Sequence, residues 1–112
     1  MIDNFKLIGF NTHQSKILSI LIDEKWHTAK ELESKLGLRQ PEVSNGLFSI
    51  WAYIEYDSIK QERGAPLKPI RLAMSKVMFL ENLRNIALEE FNAKCDAIKE
   101  LGDFTALHEE DD

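Results

Sequence analysis

The 112-residue chain carries a single cysteine, Cys95, which excludes an intrachain disulfide and the cysteine clusters that hold zinc or another soft metal. The ordinary role of such a residue is a small apolar group at a helix interface, with a redox-sensing thiol as the alternative. The histidines His13, His27 and His108 lie far apart, and none has a second ligand at helical or zinc-site spacing, so no metal is expected. No apolar run approaches the roughly 20 residues that cross a bilayer. The first residues, with Asp3 and Asn4 early, do not resemble a signal peptide. These absences lead us to expect a soluble, cytoplasmic protein with no membrane association. There is no Gly-rich phosphate loop, no nucleophile beside an identifiable base and no ligand set, so neither catalytic residues nor a cofactor are expected.

Net positive charge is also lacking. The formal charge is -5, which argues at first against a nucleic-acid partner. Asp103, Glu109, Glu110, Asp111 and Asp112 follow Leu101 without a Lys or Arg, however, and they account for that whole excess. The rest of the chain is close to neutral, a weak footing for phosphate neutralisation. The length fits one domain with a modest core, for which dimerisation would help bury apolar surface.

What the chain does contain is a succession of helix signals. Ile2, Phe5, Leu7, Ile8 and Phe10 form a stretch too short and irregular to assign as helix or strand, and it is expected to pack on the core or on a partner subunit. Asn11 and Gln14 resemble a capping box that opens a first helix reaching about Ile22. Trp26-His27-Thr28 could form a very short strand. Thr28 and Glu31 then make a second capping box, the better of the two by pattern, and Gly37 suits the residue after that helix's end. Val43, Leu47, Ile50 and Ile54 recur at helical spacing, predicting a third helix with Pro41 in its first turn. Gln40, Glu42, Ser44, Asn45 and Ser49 fall largely outside its apolar face.

Two short helices around a Gly-containing turn, the second with a polar first half, form the pattern of a helix-turn-helix. Beyond it, residues 54–59 and 67–72 read as two extended segments around a turn at Glu62-Arg63-Gly64-Ala65-Pro66, a hairpin wing in which Pro69 favours an edge strand. From Ser75 to Leu101 there is no Gly or Pro, and Leu80, Leu83, Ala87, Phe91, Cys95, Ile98 and Leu101 recur every three or four residues. That predicts an amphipathic helix of about seven turns. The expected fold is mainly α with a small β-hairpin wing (α+β): a winged helix-turn-helix over residues 1–74, a long C-terminal dimerisation helix over 75–101 and an acidic, mobile tail over 102–112.

The segment Leu38-Arg39-Gln40-Pro41-Glu42-Val43-Ser44, together with the order of elements, resembles archaeal winged helix-turn-helix transcriptional regulators of the broad ArsR/TrmB-like group, over roughly residues 10–101. The resemblance implies a homodimer on a pseudo-palindromic operator, with Gln40, Pro41, Ser44 and Asn45 at positions that face the major groove. By side-chain chemistry, Gln and Asn suit adenine, and Arg39 could reach guanine or a phosphate. Lys30, Lys60, Arg63 and Lys68 would hold the DNA backbone, and Leu80, Leu83, Ala87, Phe91, Cys95 and Ile98 would form the dimer seam. The sequence departs from those regulators in three ways. Its wing is short, its recognition helix continues into Phe48, Trp51, Ala52 and Tyr53 in place of charged residues, and the cysteines of metal-sensing relatives are absent. The first two departures would also suit a winged helix used for protein contact through Phe48, Trp51 and Tyr53, such as an adaptor in a transcription or replication complex. That is the alternative to double-stranded DNA as partner.

Overall fold

The structure, a computed structural model, describes residues 1–57 and 68–110, with side chains through residue 103. The element order is α1 (Ile2–Ile8), α2 (Thr12–Leu21), α3 (Ala29–Leu36), α4 (Gln40–Ser49), a 3-10 turn (Trp51–Tyr53), β1 (Ile54–Tyr56), β2 (Ile70–Leu72) and α5 (Lys76–Glu110). The chain divides into two units, Met1–Leu80 and Glu81–Asp112.

Local chemistry explains where the helices begin and end. Asn11 Oδ1 accepts from the Gln14 N–H at 2.8 Å while Gln14 Oε1 accepts from the Asn11 N–H at 2.8 Å, so two otherwise orphaned donors are satisfied at the start of α2. At α3, Thr28 Oγ1 accepts from the Glu31 N–H at 3.2 Å. Glu31 does not return the bond, since its carboxylate lies 3.1 Å from His27 Nδ1 instead. The complete capping box is therefore the first of the two, against expectation. Gly37 ends α3 at φ 64°, a left-handed conformation that costs Gly little.

One stretch that the sequence leaves unassigned is a helix, and two expectations need correction. Residues 2–8 form helix α1, which buries Phe5. The helical spacing of Val43, Leu47, Ile50 and Ile54 continues past the end of the helix: α4 stops at Ser49, and Ile54 already belongs to β1. The chain tightens there because Tyr53 is drawn into a closed ring of four aromatics. Its centroid lies 5.4 Å from that of Phe79 and 6.1 Å from that of Phe10, and Phe5 completes the circuit. The Tyr53 carbonyl also accepts from the Ala73 N–H at 2.9 Å, which turns the backbone towards the hairpin. Finally, β2 is an edge only in part, because a single bridge at Ile70 covers its other side. It pairs antiparallel with β1, Ile54 opposite Leu72, and on its other side Ile70 exchanges backbone bonds of 2.7 and 2.8 Å with His27. Pro69 is tolerated because it precedes the first paired N–H, and its carbonyl accepts from the Asp57 N–H.

The core of the first unit lies where α2, α3 and α4 converge over the hairpin. Ile17, Leu18, Leu21 and Leu32 are fully buried, and Val43, Leu47, Ile50, Ile54, Ile70 and Leu72 are nearly so. Each such side chain contributes about 1.5–3 kcal/mol through removal from water.

Helix α5 begins at a double cap: Ser75 Oγ accepts from the Met78 N–H and Glu24 Oε1 accepts from the Lys76 N–H at 2.7 Å. The helix does not stop at Gly102 but runs to Glu110, which moves the expected boundary at 101. One Gly inside a long exposed helix costs about 1 kcal/mol, too little to end it without a Pro or a competing cap. Among the residues expected to form a dimer seam, Leu80, Ala87, Phe91, Cys95 and Ile98 are exposed and Leu83 is buried. No helix among the described residues is long and apolar enough to cross a membrane.

Candidate nucleic-acid interface

The outward face of α4 is set by how α2 holds its inner face. Three contacts, spaced about a turn apart along α4, make that grip. His13 Nε2 lies 3.0 Å from Glu42 Oε2. Gly46 approaches so closely that a Cβ there would meet Ile17 Cδ1 at 2.6 Å. Gln14 Nε2 donates to Ser49 Oγ at 2.8 Å. Glu42 and Ser49, expected on the outer face, are thus used to orient the helix. These contacts were missed in the sequence; an unexplained Gly in a helix interior was the one signal that could have pointed to a close approach there.

With that face fixed, Gln40, Pro41, Ser44 and Asn45 are exposed together on α4, with Arg39 just before it. Arg39 is not free to roam. Glu42 Oε1 accepts from its backbone N–H at 2.8 Å and from its Nε at 3.2 Å, although the Arg39 side chain is 85% exposed. A guanidinium cannot accept a hydrogen bond, so only half of a capping box forms here. The Arg39 N–H first, and then its guanidinium, hold the Glu42 carboxyl below its ordinary pKa.

The backbone-contacting candidates divide into two groups. Lys30 on α3 and Lys68 before β2 are exposed. Lys60, Arg63 and the turn at 62–66 lie outside the described residues. Arg71, a further basic residue of the hairpin, is committed elsewhere: its Nε donates to Glu55 Oε1 at 2.6 Å and its guanidinium lies 4.2 Å from the centroid of the Trp26 ring.

The three aromatics at the end of the recognition segment separate. Tyr53 belongs to the aromatic ring described above and is half-buried. Phe48 and Trp51 remain 78% and 72% exposed. With Ser44 they line a shallow groove of about 420 Å3 together with Tyr56, Lys68 and Ile70 of the hairpin region. Partial burial raises the Tyr56 phenol above its ordinary pKa, so it stays a neutral donor and acceptor. Among the described residues no cluster of His, Cys, Asp or Glu is arranged to hold a metal ion.

No protein-family model matches the chain, and no curated protein matches it in sequence. Among solved structures it is similar to a possible transcriptional regulator from Methanosarcina mazei Go1, with a TM-score of 0.70 and 12% identity, over 83% of this chain and 80% of that one. It is also similar to a MarR-family regulator from Neisseria meningitidis, with a TM-score of 0.55 and 18% identity, over 92% of this chain and 83% of that one. At such identities the likeness shows the fold, and the fold is a winged helix-turn-helix.

Proposed function

We propose that the protein is a sequence-specific, double-stranded DNA-binding transcriptional regulator of the ArsR/TrmB-like kind. It acts in the cytoplasm as a homodimer paired through the helix after residue 75. The observation that carries this reading is the outer face of α4: Gln40, Ser44 and Asn45 are exposed together on a helix clamped from behind by α2, with a hairpin beside it. Amide and hydroxyl side chains at the start of such a helix are the groups that reach base edges in a major groove. The two similar structures, both named as regulators, support the same reading.

In this account Gln40 and Asn45 read bases, Ser44 and Arg39 contribute polar contacts at the groove, and Lys30, Lys60, Arg63 and Lys68 neutralise phosphates. The exposed apolar residues Leu80, Ala87, Phe91, Cys95 and Ile98 pair two copies and set the half-site spacing. Fluorescence-anisotropy titration of labelled duplex at several salt concentrations, with sedimentation equilibrium of the free protein, tests both parts. Salt-dependent duplex binding by a dimer is expected. A monomer that binds no duplex at any salt, or that co-purifies with a stoichiometric protein partner and ignores DNA, would overturn the proposal.

A further inference from the structure

We infer that Phe48 reads thymine C5-methyl groups, and that the half-site the protein selects is rich in A·T pairs. This rests on the DNA-binding reading above and names the class of sequence it recognises. Phe48 lies one helical turn beyond Ser44 and two beyond Gln40 on the outward side of α4, and it is 78% exposed while Val43, Gly46 and Leu47 are buried. Ser44 and Phe48 are separated by about 6 Å along the helix axis, within reach of adjacent base-pair steps.

The chemistry of the face selects the base. From Gln40 to Ser49, α4 has no Lys or Arg. Guanine offers two acceptors in the major groove and is best met by a bidentate cation. The nearest one, Arg39, precedes the helix and has its Nε on Glu42, itself held by His13. Adenine offers an acceptor and a donor, which the amides of Gln40 and Asn45 match, and its partner thymine offers a methyl group, which a phenyl ring matches. The face thus carries both halves of an A·T reader. The groove beside Phe48 favours DNA over an apolar protein surface, because exposed Lys68 lines it together with the aromatic rings. A phosphate strand would satisfy that ammonium, and an apolar partner would strip it of water.

Uracil tests this directly, since it keeps every hydrogen-bonding group of thymine and lacks only the methyl. The full chain is titrated against its selected duplex with thymine replaced by uracil one position at a time, alongside Phe48→Ala and Phe48→Leu. The expected result is a loss of about fourfold in affinity at one or two thymines per half-site, the value of one buried methyl. That loss should disappear in Phe48→Ala, which binds both duplexes equally. Replacement of an exposed side chain leaves the core intact, and an unchanged thermal melt checks it. Sequence-specific binding with no thymine-to-uracil loss, or a loss that persists in Phe48→Ala, overturns the inference and leaves the DNA-binding reading standing. Failure to bind any duplex overturns both.

Discussion

A methyl group on Gly46 would meet Ile17 Cδ1 at 2.6 Å, so α4 packs on α2 closely enough that the end of the buried Ile17 side chain must shift to admit it. Gly46→Ala should therefore destabilise the fold, because overpacking a buried contact costs about 1–3 kcal/mol. That exceeds the roughly 1 kcal/mol that Ala gains over Gly in a helix. Ile17→Val removes the offending atom at a cost of about 1 kcal/mol. In that background Gly46→Ala should become neutral or stabilising. Urea denaturation of the two single variants and the double variant measures the coupling, and strict additivity would show that the contact does not limit the packing.

Two neighbouring aromatics should behave oppositely. Tyr53 closes the ring with Phe5, Phe10 and Phe79, whereas Trp51 is 72% exposed. Tyr53→Ala should cost about 2 kcal/mol, less than removing a large side chain from a core because Tyr53 is half-buried. Trp51→Ala should stay within about 0.5 kcal/mol, as surface substitutions do. Thermal melts of the two variants distinguish a core ring from a surface pair.

Acid should weaken the junction between α2 and the hairpin through Asp23. Burial alone would raise its carboxyl, but hydrogen bonds from the Lys25 N–H and the His27 ring outweigh it and leave the pKa lowered. A folded-state pKa below the unfolded one gives stability that is present above the unfolded value, near pH 4, and is lost as pH falls through the folded one. Because the Asp23 side chain is 39% exposed, solvent screening limits the contribution to about 0.5 kcal/mol. Asp23→Asn should lower stability at neutral pH by that amount and flatten the decline between about pH 5 and 3. An unchanged acid limb in chemical denaturation would count against this role.

Phosphate contact should rest on few cations. Lys30→Ala and Lys68→Ala should each weaken binding to all duplexes alike and lower the slope of log affinity against log salt by about two per dimer, one for each protomer. Arg71→Ala should leave that slope unchanged, because the guanidinium is held by Glu55 and Trp26. Anisotropy titrations over a range of salt separate the two behaviours.

Much of this fold was legible in the chain because it is written in local signals. Asn11 with Gln14, Thr28 with Glu31, and Gly37 mark helix ends by chemistry within one turn, and the alternation around residues 54–72 marks the hairpin. What was not legible depends on distant partners. The spacing that includes Ile54 is helical, yet Tyr53 is claimed by Phe10 and Phe79, and tertiary packing overrides the local period. Glu42 and Ser49 look like solvent-facing residues until α2 supplies His13 and Gln14. The candidate reading face was visible as polar residues ahead of an apolar stripe. The restraint on Arg39 and the outward position of Phe48 required the structure.

The proposed regulation depends above all on α4 reading base sequence through its outer face. The most direct measurement is selection of bound duplexes from a random library by the wild-type chain, Gln40→Ala and Asn45→Ala, each followed by sequencing. The wild type is expected to select a dyad-symmetric site with A·T-rich half-sites, and each variant to relax sequence preference at defined positions. A selection that enriches no sequence, or one whose site is unchanged in both variants, would contradict it.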